Sequence, residues 1–253
     1  MRAPDPVPLP PEPALAVHGL SVAYGGTTVL RDVSWEVRPG TLAAVIGPNG
    51  AGKSTFLKAV LGLIPRLSGE VRLFGRPLAE ARRRVAYLPQ RASVDWDFPL
   101  TALQVAAQGR YPHVGWFRPL PRHERDRALA ALAEVGLADL ADRRIGALSG
   151  GQQQRVFLAR ALALEAELML MDEPFAGVDA ASEAAILAVL RRLARDGRTV
   201  IAVHHDLATA PATFSEVLLL NGRVIAAGPM ATTFTAEALA ETYGAPIPLA
   251  AAA

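Results

Sequence analysis

Two stretches of the 253-residue chain carry the residue types that grip phosphate: "GPNGAGKST", Gly47 to Thr55, and "ALSGGQQQR", Ala147 to Arg155. The first fits G-x-x-x-x-G-K-[ST] through Gly47, Gly52, Lys53 and Ser54, with Pro48, Asn49, Gly50, Ala51 and Thr55 completing the loop. Its glycines let backbone N–H groups wrap phosphate oxygens. Lys53 can reach the β and γ oxygens, and the Ser54 hydroxyl is a ligand for Mg²⁺. A strand-like run before the loop and a helix after it add the dipole of a helix N-terminus, which favours an anion. The pattern implies nucleotide binding and, alone, suits a kinase or a GTPase equally well.

A second half-site follows in "LMLMDEP", Leu168 to Pro174. Asp172 ends an apolar strand, which puts its carboxylate at the carboxyl edge of a sheet, where it can hold Mg²⁺ directly or through water. Glu173, one residue on, is placed to orient or deprotonate an attacking water. In the other stretch, Leu148, Ser149, Gly150, Gly151 and Gln152 open a helix whose hydroxyl and backbone donors suit an anion. That stretch follows a helical region rather than a parallel strand. It is poorly placed to fold back onto a phosphate already wrapped by Gly47 to Thr55, and better placed to reach one held by a second copy.

The elements that must position these residues read as an α/β core. "LAVHGLSVAY" (15–24) and "TVLRDVSWEV" (28–37) alternate about a "YGGT" turn and predict an antiparallel pair. "LAAVI" (42–46), "ELMLM" (167–171) and "TVIAV" (199–203) are continuous apolar runs of the kind found in buried parallel strands, and "RVAYLPQ" (84–90) is a further short strand. Helices are expected over 53–63, across "RVFLARALALE" and over "AASEAAILAVLRRLARDG", the last stopped by Gly197. Residues 100–140 are helical in pattern, with Leu129, Leu132, Val135 and Leu137 approximating one face. A late hairpin turns on Asn221 and Gly222. A mainly parallel core sheet, an antiparallel front subdomain and a helical insert follow. The expected division is a Pro-rich, extended and disordered lead-in over 1–14, one domain over 15–245 with the helical subdomain at about 91–160, and a tail over 246–253.

Composition narrows the function classes. Lys and Arg number 26 against 24 Asp and Glu, and no basic stripe stands out, so there is no electrostatic case for nucleic acid. The chain has no Cys, which excludes disulfides and thiolate metal sites. No apolar run approaches the ~20 residues that cross a bilayer, and the N-terminus lacks a signal peptide's apolar core. A cytoplasmic protein is the default expectation.

"LSGGQ" together with the upstream loop resembles the nucleotide-binding subunits of ABC transporters. The resemblance implies a P-loop NTPase cassette that hydrolyses ATP with Mg²⁺. Two copies would dimerise head-to-tail so that each signature loop, Leu148 to Gln152, caps the ATP of the other, and integral membrane permease subunits would be driven by the pair. It places Tyr24 against adenine, Gln90 on Mg²⁺ and water with a link to the permease, and Asp179 of "AGVDA" in the loop that meets the opposite subunit. His205 of "VHHDL", aligned on Asp206, becomes the γ-phosphate sensor in preference to His204. Glu173, His205 and Gln90 form the implied catalytic set; Ser54, Gln90 and Asp172 form the Mg²⁺ set.

"VDWDFP" (94–99) followed by "GRY" (109–111), with "FAGVDAAS" and "VHHDL", is similar to the manganese/zinc/iron branch of bacterial ABC importers. That implies manganese as the first expected cargo, with zinc and iron behind it, an extracytoplasmic metal-binding protein as an indirect partner, and a peripheral position on the cytoplasmic face of the membrane. Trp96, Phe98 and Pro99 offer apolar area beside Gln90 for a permease helix, or else pack inside the domain. Asp95 and Asp97 are not read as a metal site. Other readings remain: a cassette for another substrate or for export, a soluble ABC ATPase working on ribosomes or DNA, and a non-catalytic binding module.

Overall fold

The computed structural model describes residues 12–90, 96, 98–115 and 117–247. Asp95 and Asp97, and most of the lead-in and tail expected at the two ends, lie outside the described residues. Ala14, at the end of that lead-in, is buried and its N–H donates to the carbonyl of Val37 at 2.8 Å.

β1 (Leu15–Tyr24) and β2 (Thr27–Val37) form the expected antiparallel pair, with Leu15 opposite Val37 and Val22 opposite Leu30. The chain then enters the core as β3 (Leu42–Ile46), passes through the phosphate loop into α1 (Lys53–Val60), and returns to the front as β4 (Ser68–Arg72). β4 pairs antiparallel with the free edge of β1, so the front sheet has three strands in the order β2-β1-β4. α1 ends at Val60, short of the expected Leu63, because Gly62 adopts φ 62° and its N–H caps Ala59 O at 3.1 Å.

A short α2 (Leu78–Ala81) leads to β5 (Val85–Leu88). The helical subdomain follows as α3 (Ala102–Ala107), α4 (Tyr111–Val114), α5 (Arg122–Glu134) and α6 (Gly150–Ala163). On α5 the buried apolar positions are Ala128, Ala131 and Leu132, continued by Val135 and Leu137. Leu129, expected on this face, is exposed, because the buried stripe runs through Glu124, Ala128, Ala131 and Leu132 at helical spacing and Leu129 lies to one side of it. Arg110 is 1% exposed, with Nε 2.5 Å from Glu124 on α5 and NH1 donating to the carbonyl of Ala163 at the end of α6. This buried pair fastens the helices around one point.

The chain re-enters the core as β6 (Leu168–Met171), then α7 (Ala180–Arg195), β7 (Thr199–Val203), α8 (Ala210–Thr213) and β8 (Glu216–Leu220). It closes with β9 (Val224–Pro229), α9 (Met230–Thr233) and α10 (Ala236–Tyr243). The core sheet runs β5-β6-β7-β3-β8-β9, parallel except for β9. Its parallel strands are buried on both faces, whereas the edge strand β9 is partly exposed. Leu42, Ala44 and Ile46 of β3 join the core beneath the helical subdomain, while Ala43 and Val45 join the core against the front sheet. Burial on both faces accounts for the unbroken apolar runs. The fold is therefore an α/β cassette with a mainly parallel core sheet, an antiparallel front and a helical insert.

Candidate functional site

Four neighbouring strands, in the order β5-β6-β7-β3, end at one edge of the sheet, and each delivers a polar group just past its last residue. β5 leads to Gln90, β6 to Asp172 and Glu173, β7 to His204 and His205, and β3 to the loop 47–55. Parallel pairing of these strands brings together residues far apart in sequence.

The loop's shape depends on two glycines. A Cβ on Gly47 would lie 2.0 Å from the carbonyl oxygen of Leu220, at the end of β8. Gly52 caps α1 at φ 92°, a left-handed conformation that a side chain strains, and a Cβ there would meet Leu30 at 2.6 Å. Lys53 is buried and its Nζ donates to the carbonyls of Gly47 (2.7 Å) and Pro48 (2.8 Å). Burial lowers its pKa, opposed by the charges of Glu173 and Asp172. A cleft of about 340 Å³ opens over the loop, lined by Tyr24, Val29, Asn49, Gly50, Ala51, Gly52, Lys53, Ser54, Thr55 and Glu173. Tyr24, half exposed at the end of β1, forms part of its wall.

Asp172 is 2% exposed and accepts a hydrogen bond from Ser54 Oγ at 2.9 Å. Burial raises its pKa, with the Ser54 bond pulling the other way. A desolvated carboxylate paired with a hydroxyl at a strand end is a fitting oxygen donor set for Mg²⁺, which typically takes one or two carboxylates and completes its shell with water and phosphate oxygens. Glu173 stands at φ 53°, a left-handed backbone that costs a non-glycine residue about 1–3 kcal/mol. Both of its oxygens are engaged: Oε2 accepts from Gln90 Nε2 at 2.8 Å, and Oε1 lies 2.6 Å from His205 Nε2. The structure thus gathers Gln90, Glu173 and His205 into one contact. His204 points the other way, buried and in ring contact with Phe175 and Phe214.

The signature residues stand apart from this contact, and none of Leu148 to Gln152 lines the cleft over the phosphate loop. Ser149 caps α6 in a reciprocal box: its Oγ accepts from Gln152 N (3.3 Å), while its own N–H donates to Gln152 Oε1 (3.0 Å). Gly151 fills a second need, because a Cβ there would lie 2.2 Å from Ser182 Oγ and 3.0 Å from Asp179 Oδ2. Asp179 caps α7, accepting from Ser182 N (2.9 Å) and Ser182 Oγ (2.8 Å). The signature helix and the Asp179 loop are therefore packed directly together.

The trio Trp96, Phe98 and Pro99 divides. Trp96 packs against Phe157 of α6, with ring centroids 5.0 Å apart, whereas Phe98 and Pro99 are exposed. Beside them lies a cavity of about 430 Å³ with Leu100, Leu103, Ala107 and Leu120 among its apolar walls and Gln104, Arg125 and Asp142 among its polar ones. The sequence reading missed this cavity and the parts played by Val29 and Ser182. The spacing of Asp179 and Ser182, which suits an N-cap, was the available signal for the last.

Residues 30–176 match the family model described as ABC transporter. The chain is 53% identical over 231 residues to the zinc transport system ATP-binding protein TroB of Treponema pallidum, covering 91% of this chain and 87% of the relative. It is 52% identical over 228 residues to the manganese transport system ATP-binding protein MntB of Bacillus subtilis, covering 90% and 91% respectively. Among solved structures it resembles a chain of an ABC transporter in an inward-facing conformation, with a TM-score of 0.83 and 30% identity over 93% of this chain and 90% of that one. An ATP-binding subunit of another ABC transporter superimposes with a TM-score of 0.74 at 32% identity, covering 86% and 90%. The phosphate loop, the strand-end carboxylates and these likenesses agree: the chain belongs to the ABC transporter family and is its ATP-hydrolysing, ATP-binding cassette.

Proposed function

We propose that the chain powers passage of a divalent metal ion, manganese first and then zinc or iron, through a separate membrane permease. The observation that carries the ATPase half is the contact of Gln90, Glu173 and His205 beside a phosphate loop fitted with Lys53 and Ser54. The metal half is supported by relatives whose names specify manganese or zinc transport at 52% and 53% identity.

In this reading Tyr24 stacks on adenine and residues 47–55 wrap the phosphates. Lys53 turns from the loop's own carbonyls toward the β and γ oxygens. Ser54, Asp172 and Gln90 would hold Mg²⁺, which when bound neutralises charge on the phosphate oxygens. Glu173 takes a proton from water as the water oxygen bonds to the γ-phosphorus; the bond from that phosphorus to the bridging oxygen breaks, leaving ADP and phosphate. Gln90 and His205 now occupy both Glu173 oxygens, so at least one of them must move before the carboxylate can receive that proton. His205 is then free to meet the γ-phosphate. Ser149 and its neighbours complete the site of a second copy in a head-to-tail dimer, with Asp179 at the seam.

Phe98 and Pro99, with the adjacent cavity, form the surface proposed for the permease, and Trp96 supports it from within. Docking there places the cassette peripherally on the cytoplasmic face, and an extracytoplasmic metal-binding protein supplies the ion. No helix among the described residues is long and apolar enough to cross a membrane. The test is Glu173→Gln, which keeps size and shape but removes the base. ATP binding should persist while turnover falls about 10²–10⁴-fold; turnover near wild type would remove Glu173 from the role.

A further inference from the structure

We propose that His204 is a positioning residue for hydrolysis, holding the turn that carries His205 in register with the loop that carries Glu173. The inference rests on the ATPase reading of those two residues. His204 directly follows β7, where its N–H donates to Val45 O at 3.1 Å, and it is 4% exposed. The ring meets Phe175, two residues beyond Glu173, edge-on at 5.4 Å and 89°, and it meets Phe214 at 5.1 Å. It therefore fills the space between the Glu173 loop and α8.

Its polar edge has a separate partner. His204 Nε2 lies 3.1 Å from Thr209 Oγ1. Asp206 Oδ1 accepts from the N–H groups of Ala208 (2.8 Å) and Thr209 (3.4 Å), closing residues 206–209 into a compact turn. His205 is thus carried between a buried ring and a closed turn, and the His204–Thr209 contact joins the two. Burial lowers the pKa of His204, so the ring contributes a neutral hydrogen-bonding edge. A cavity of about 160 Å³ lies alongside, lined by Glu173, Phe175, Glu183, His204, His205 and Asp206 among others. That is the space into which Glu173 and His205 can part. A phenylalanine would fill the same wedge; what histidine adds is a polar edge that meets Thr209 and the backbone of Asp206.

The experiment measures ATP affinity and kcat separately on the full chain for His204→Phe, Thr209→Val, their double variant and Thr209→Ser, with His205→Ala as reference. Thr209 is exposed, so its valine variant folds even if the buried change does not. The expected result is unchanged affinity and a kcat loss of about tenfold in each single variant, the worth of one hydrogen bond that matters in the transition state. The double variant should lose clearly less than the sum of the two single losses, because both remove the shared His204–Thr209 contact, and Thr209→Ser should restore the rate. Wild-type kcat in Thr209→Val alongside an inactive His205→Ala would overturn the inference and leave His204 a packing residue. Full turnover in His205→Ala would overturn the ATPase reading beneath it, and the inference with it.

Discussion

Gly151→Ala puts a single methyl group where the structure has no room. The new Cβ would lie 2.2 Å from Ser182 Oγ and 2.6 Å from Ser182 Cβ. Gly151 is helical, so backbone strain is not the issue; the cost is steric. Overpacking of this kind costs about 1–3 kcal/mol. Turning the Ser182 hydroxyl away to relieve it gives up its hydrogen bond to Asp179 Oδ2, worth about 1 kcal/mol. A loss of about 2–4 kcal/mol follows, or roughly 4–16 °C in melting temperature at this chain length. The assay is thermal and guanidinium unfolding of the nucleotide-free chain, where no second subunit is involved. Ser182→Gly in the same chain removes both offending atoms and should recover the steric part but not the Ser182 Oγ–Asp179 Oδ2 bond. A Gly151→Ala chain within about 0.5 kcal/mol of wild type, the range of an ordinary surface change, would refute the packing argument.

Three further perturbations separate the parts of the account. Ser149→Arg should abolish hydrolysis while monomer ATP binding persists; loss of monomer binding would show that the loop acts within its own chain. Asp172→Asn should stabilise the nucleotide-free protein at neutral pH while removing activity. Burial raises the folded pKa of Asp172, so wild type loses stability as pH rises from the ordinary carboxylate range through that raised value. The asparagine variant lacks this slope, and its advantage should vanish in acid; equal stability at every pH, by denaturant titration, would contradict the reasoning. Arg110→Met strands Glu124 in a buried position and should cost about 3–5 kcal/mol, most of it regained with Glu124→Leu in the same chain. Failure of the second change to help would show that the pair does not act as a unit.

The chemistry was legible where local order and spacing carry it. Gly47 to Thr55 join a strand to the first turn of a helix, both of which sequence pattern alone marks, and Asp172 follows a run that alternates between two cores. β4 was not legible, because only one of its five positions is buried and its identity as a strand comes from pairing with β1. Trp96 and Phe98 show the same limit: two nearby aromatic residues look alike in sequence, and it is packing against Phe157, some sixty positions later, that distinguishes Trp96. Gly151 reads as a phosphate-loop glycine, and nothing local shows that Ser182 leaves its Cβ no space. The choice between His204 and His205 rested on Asp206 in sequence, whereas the structure separates them by burial and by contact with Glu173.

The central claim is that hydrolysis at Glu173 drives a divalent metal across the membrane. The most direct measurement is cellular uptake of manganese, zinc and iron in the native organism, comparing wild type with a chromosomal Glu173→Gln strain of equal expression and confirmed ATPase loss. The account predicts selective loss of one ion, manganese first. Unchanged uptake of all three would contradict it, leaving an ABC ATPase coupled to another cargo.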